Sequence, residues 1–92
     1  MDADVKTAGI DTKEVGRTIR WYRRAFDLSQ RDFAKRIGSS FGSVNLWERG
    51  INKGLKLENL TKIANFFGVS EQDLLHPSDE VKKWINMSLK KA

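Results

Sequence analysis

The chain has no cysteine, one proline and one histidine among its 92 residues. Without cysteine there is no disulfide, no thiolate metal site and no cysteine nucleophile. A lone histidine, His76, cannot assemble a multi-histidine metal centre within one chain. Alternating strand patterns, internal repeats and low-complexity segments are also missing. No apolar run approaches the length of a membrane span. The first residues, MDADVKTAGID, lack the basic start and hydrophobic stretch of a signal peptide. The expectation is a cytoplasmic protein with no membrane partner.

What is present fits a small globular domain. Hydrophobic residues make up 39% of the chain, enough to argue against disorder. The length suggests one folded unit, with no room for a separate effector-binding domain. The net charge of +5 is unevenly spread. Residues 13–38 hold eight Lys or Arg against three acids, whereas residues 1–12 are net negative. A clustered basic face is the electrostatic footprint of a polyanion partner, although a solvated helix surface carries the same signature.

The chain punctuates itself into helices. Residues 1–10 read as a loose arm. Asp11 and Glu14 pair as a cap for helix 1, Thr12 to Phe26, whose Val15, Ile19, Tyr22 and Phe26 recur at core-facing spacing. Ser29 and Asp32 cap helix 2, Gln30 to Ile37, with Phe33, Ala34 and Ile37 buried. Gly38 ends it in a left-handed conformation. Helix 3 runs from Ser40 to Arg49 with Val44 and Trp47 inward, and Gly50 stops it. Residues 51–56 form a loop. Helix 4, Leu57 to Phe67, carries the stripe Leu57, Leu60, Ile63, Ala64 and Phe67, and Gly68 closes it. Ser70 and Asp73 cap a short helix 5 that ends at Leu75. Pro77 breaks the chain, and helix 6 follows from Ser78 or Asp79 to Lys90. Domain limits of 1–10, 11–76 and 77–92 follow from this punctuation. The fold class is all-α.

Helices 2 and 3, joined by a tight turn at Gly38, have the layout of a helix-turn-helix, whose second helix enters the DNA major groove. From Val15 to Leu75 the chain resembles the phage-repressor and Cro-like (XRE-type) helix-turn-helix family. The resemblance rests on Leu28-Ser29-Gln30 opening helix 2, Phe33-Ala34 within it, and Gly38 at the turn. It continues through Val44 and Trp47, Glu48-Arg49-Gly50, and Leu60 to Leu75 with Val69-Ser70 leading into the last family helix. It implies a five-helix lambda-repressor-like DNA-binding domain, here with an additional C-terminal helix.

The resemblance also implies roles for particular residues. Gln30 matches a helix-2 glutamine that contacts backbone phosphate, though a plain first-turn residue is the alternative. Ser40, Phe41, Gly42 and Ser43 fall where the family places base-reading side chains, with Asn45 and Leu46 in the next turn. Here the sequence departs from the family. Phe41 and Leu46 make no hydrogen bond to a base edge and could only pack on thymine methyl groups. Phe41 could equally be tucked toward the core, or the apolar surface could meet a protein. Arg23 and Glu48 match an internal salt bridge between helices 1 and 3. Arg17, Arg20 and Arg24 share a face of helix 1 and could attract phosphate at long range. Arg49, Asn52 and Lys53 would follow the DNA backbone. The expected DNA-facing set is completed by Arg31 and Ser39.

Helix 6 carries Val81, Trp84 and Ile85 on one stripe. These are either a dimer interface or a surface folded back on its own chain against Trp21. The resulting expectation is a sequence-specific DNA-binding transcriptional regulator, a bacterial or phage repressor. It would bind double-stranded DNA as a homodimer, with a regulatory protein as a further candidate partner. The competing reading is a protein-interaction module such as an antitoxin or adaptor on the same fold. A catalytic role is not expected, because the acids serve as caps or surface pairs, and no cofactor is expected.

Overall fold

The computed structural model describes residues 11–51 and 55–91, with the backbone alone at residue 85 and residues 88–91. The described residues form six helices: α1 (Thr12–Ala25), α2 (Gln30–Ile37), α3 (Phe41–Glu48), α4 (Leu57–Phe67), α5 (Glu71–Leu75) and α6 (Asp79–Lys91). The fold is all-α, and the described residues make five helices followed by a sixth. The expected arm, residues 1–10, lies outside the described residues.

Short polar side chains set the starts of every described helix but α4, which opens after Lys56 with no side-chain cap. Asp11 accepts hydrogen bonds from the backbone N–H groups of Lys13 and Glu14, at 3.0 and 3.2 Å. Ser29 accepts from Asp32 N at 3.0 Å, and Ser40 accepts from Ser43 N at 3.1 Å. Ser70 and Asp73 form a reciprocal capping box at the start of α5. The Glu14 carboxylate turns instead to the Lys82 ammonium of α6 at 3.5 Å. Ser40 is therefore the N-cap of α3 rather than its first helical residue, and Arg49 is its C-cap.

The ends of α1 to α4 share one device. Gly38 sits at φ 70°, ψ 37°, and the next amide, Ser39 N, donates to Ala34 O at 2.8 Å. This wraps the last carbonyls of α2 in a Schellman turn. Gly50 and Gly68 close α3 and α4 the same way. At the end of α1 the position falls to Asp27, the non-glycine at positive φ among the described residues (59°), with Leu28 N donating to Arg23 O at 3.1 Å. That turn ends α1 at Ala25, one residue earlier than the apolar spacing suggests.

The core gathers one face of every helix of the five-helix unit, with Ile19, Phe33, Val44, Leu60, Ile63 and Leu74 fully buried. Trp47 of α3 is buried, and α3 packs closely on α1. Gly16 explains how close these helices come. A Cβ there would lie 2.5 Å from Trp47 O and 2.8 Å from Glu48 O. Leu55, expected in a loop, is buried and adds to the core from outside any helix.

Two expected core positions differ. Phe26 is 47% exposed, because α1 has already ended and the side chain lies along the rim against Phe66 and Phe67, at ring separations of 5.8 and 5.1 Å. Leu57 is 55% exposed; it opens α4, one turn before the helix reaches the core. Among the described residues, no helix is long and apolar enough to cross a membrane.

Candidate nucleic-acid interface

The α2–α3 pair is fixed to α1 by a polar network. The Arg23 guanidinium grips Glu48 with two bonds, Nε to Oε2 at 2.5 Å and Nη2 to Oε1 at 2.9 Å. Its third branch, Nη1, donates to Leu28 O at 2.7 Å, at the approach to α2. The pair is buried, with the Glu48 side chain only 3% exposed. Bidentate geometry is the form in which an arginine–carboxylate pair fixes orientation as well as distance.

Gln30 extends this network to the surface. Its Nε2 donates to Glu48 Oε1 at 3.0 Å, and its Oε1 accepts from Asn45 Nδ2 at 3.3 Å. Among the described residues, one amide hydrogen of Gln30 remains for an outside acceptor, and the Oδ1 of Asn45 remains for an outside donor. A glutamine at the start of α2 and an asparagine midway along α3 are thereby placed side by side. Sequence spacing gave no sign of this relay.

The exposed side of the network opens into a groove of about 550 Å³, lined by Arg20, Arg23, Ser29, Gln30, Arg31, Phe41, Asn45, Glu48 and Arg49. Arg20, Arg31 and Arg49 are exposed at its margin. The three arginines expected on one face of α1 part company here. Arg20 lines this groove, Arg24 lines a separate hollow with Asp27 and Ser29, and Arg17 lies near Lys82 and Glu14 beside α6.

On α3, Phe41 is 41% exposed and does not turn into the core. The Arg31 guanidinium stands over its ring, 4.6 Å from the centroid. The Ser40 hydroxyl is committed to capping: it accepts from Ser43 N and donates to Ser43 Oγ at 2.9 Å. Of the two serines expected to read bases, Ser43 keeps the free hydroxyl proton. Gly42 is exposed with open space about it, and Leu46 and Ser39 are half-buried. Asn52 and Lys53 lie outside the described residues. The structure thus brings Gln30, Arg31, Phe41, Asn45 and Arg49 around one groove, with Arg20 as an addition from α1.

Helix α6 lies against α1. Trp84 stacks on Trp21, with centroids 6.1 Å apart and planes 23° from parallel, yet it remains 45% exposed. Val81 is half-buried, and the side chain of Ile85 lies outside the described residues. The Trp21 ring also meets Tyr22 edge-on at 5.1 Å, and Tyr22 stacks on Phe67 at 5.2 Å. Burial, with the Asp73 carboxylate as the smaller cause, raises the Tyr22 hydroxyl above its ordinary pKa. No cluster of three or more His, Cys, Asp or Glu is placed to hold a metal among the described residues.

Residues 19–74 match the model of the family described as Helix-turn-helix. An uncharacterized HTH-type transcriptional regulator of Methanocaldococcus jannaschii is 36% identical over 63 residues, covering 67% of this chain and 92% of that protein. Among solved structures, a hypothetical transcription factor from Neisseria aligns with a TM-score of 0.67 at 27% identity, over 88% of this chain and 91% of its own. The hydroxypropylphosphonic acid epoxidase of S. wedmorenis aligns with a TM-score of 0.65 at 24% identity. This chain covers 36% of that enzyme, and the likeness is one of fold alone.

Proposed function

The chain belongs to the XRE-type helix-turn-helix family, and from that membership we propose a transcriptional repressor that acts as a homodimer on a near-palindromic operator. It is a DNA-binding transcription regulator. In the proposed mode, α3 lies in the major groove of double-stranded DNA and the start of α2 rests on the backbone. The observation that carries this reading is the groove between α1, α2 and α3. Its floor is the Arg23–Glu48–Gln30–Asn45 network, and its margin holds Arg20, Arg31 and Arg49.

The division of labour follows from chemistry. Arg20 and Arg49 supply charge for phosphates, and binding should weaken steeply with salt as counterions are released. Gln30 offers its remaining amide hydrogen to a phosphate oxygen. Asn45, Ser43, Phe41, Gly42 and Leu46 face the bases. Asn45 is suited to adenine, because an amide can pair with both N6 and N7. Lys53 and Asn52 are assigned to the backbone beyond α3, and Ser39 and Ser40 to the turn that leads into it. Repression then follows from occupancy of the operator.

The homodimer is assigned to α6, where Trp84 and Met87 stay about half exposed. Sedimentation of the full chain with and without Trp84→Arg tests that assignment. An intact chain that stays monomeric at high concentration would remove it. Selection from a random double-stranded DNA pool, followed by sequencing, tests the whole reading. A near-palindrome with half-sites about 10–10.5 base pairs apart is the expected product. Exposed Phe41 and half-buried Leu46 also favour a second reading, a protein-binding surface on α3. That surface would need no salt-dependent affinity for bulk DNA or heparin, so the same preparation separates the two.

A further inference from the structure

We propose that Phe41 and Arg31 form a single reading unit that selects a pyrimidine carrying a C5-methyl group next to a guanine. The inference rests on the DNA-binding reading above and specifies what its α3 surface recognises.

Phe41 is the first residue of α3, the end of a recognition helix that meets base edges, and it stands out exposed where a polar reader would be expected. A phenylalanine left in water at that point gains free energy only by covering another apolar group. The apolar group that the major groove offers is the pyrimidine C5-methyl. Leaving Phe41 unsupported would give a loose reader, since it projects from the first turn with Gly42 beside it. Arg31 supplies the support from α2, its guanidinium carbon standing over the ring 4.6 Å from the centroid. The contact occupies one face of the ring and leaves N–H donors of the guanidinium for another partner.

Those donors match guanine O6 and N7, the acceptor pair that arginine recognises bidentately. The guanidinium carbon lies 4.6 Å from the ring centroid, so the two groups move as neighbours along the groove and reach neighbouring bases. The unit therefore fits a methylated pyrimidine and an adjacent guanine. Thymine and 5-methylcytosine carry the same methyl group, and both satisfy the geometry.

The experiment starts from the half-site recovered by selection and measures binding of the full chain to synthetic operators. Each thymine is replaced in turn by uracil, which removes only the methyl group. One position adjacent to guanine should lose affinity about fourfold, the share of one buried methyl. Cytosine at that position should bind weakly, and 5-methylcytosine should recover the loss if the methyl alone is read. If 5-methylcytosine does not recover it, thymine is the source. Phe41→Ser, checked for native helix content, should bind the thymine and uracil operators equally. Arg31→Lys keeps the charge but loses the planar group over the ring, and should shrink the thymine-to-uracil ratio while leaving the salt dependence in place. A palindromic operator bound with no uracil sensitivity anywhere would overturn this unit and leave the regulator intact. Uracil sensitivity that persists in Phe41→Ser would likewise assign the methyl to another residue. A chain that retains no DNA of any sequence would remove both proposals at once.

Discussion

Toward α3, helix α1 presents Gly16 and Arg23; toward α4 and α6 it presents Trp21 and Tyr22. The first side is built from a backbone contact with no room for a methyl group and from a buried ion pair with fixed directions. The second is built from ring stacks at 5–6 Å, with Trp84 half in water. Apolar contact is non-directional and tolerates sliding, whereas a bidentate hydrogen-bonded pair does not. The helix proposed to meet bases at a set angle is held by the directional contacts. The C-terminal helix is held mainly by area.

The largest test of this contrast is Glu48→Ala. It leaves Arg23 buried with two donors unpaired and releases Gln30, so it should cost about 3–5 kcal/mol in urea unfolding. Operator binding should fall further than stability explains, because Asn45 loses its placement through Gln30. If Glu48→Ala costs under about 1 kcal/mol, the network is not what positions α3.

Gly16→Ala is next. The added Cβ meets the carbonyl oxygens of Trp47 and Glu48, which belong to the backbone and cannot rotate away. A loss of about 1–3 kcal/mol is expected, against the roughly 1 kcal/mol that alanine returns in an open helix. Gly42→Ala provides the opposite case. No atom lies within 4 Å of the new Cβ, so a gain of about 0.5 kcal/mol is expected. Thermal melts of the two variants should move in opposite directions.

These pairs also mark what a sequence can tell. The helix limits were legible because capping residues and glycines act within a few positions of themselves; Gln30–Ile37 and Leu57–Phe67 are read directly from Ser29, Gly38 and Gly68. Phe26 and Leu57 were misplaced because periodicity assumes that the helix continues alongside the core beyond its ends. The Arg23–Glu48 pairing was implied by family resemblance, not by spacing. Gly16, Leu55, the Gln30–Asn45 relay and the Arg31–Phe41 pairing depend on contacts across 10 or more residues of chain, and no local rule reaches that far. A glycine in the middle of an amphipathic helix is the one local irregularity that could have pointed to the α1–α3 approach.

On the aromatic side, Trp84→Ala should cost about 1 kcal/mol, the worth of one ring pair. The stack is half exposed and α6 has a further tie in Lys82–Glu14. Loss of Trp84 should therefore loosen α6 and leave the α1–α3 side intact. Hydrogen exchange of α6 amides would rise, while protection in α3 should be unchanged. Equal loss of protection in both would mean that the two sides of α1 are one cooperative unit.

The smallest effect is a pH dependence confined to the aromatic side. Burial holds the Tyr22 hydroxyl above its ordinary 10.0, with the Asp73 carboxylate adding to the same direction. The folded state then keeps its proton at a pH where the unfolded chain has released it. The folded state binds more protons than the unfolded one, so stability falls as pH rises. This contribution is fully present below about pH 10 and is lost as pH climbs through the raised folded value. Lysines titrate in the same range, so the comparison is with Tyr22→Phe, which keeps the ring stacked on Phe67 and removes the ionisable group. The variant should resist alkaline unfolding better than the parent above pH 10 and match it at neutral pH. Identical alkaline profiles would place the tyrosine hydroxyl in water and shrink the aromatic contact to its ring alone.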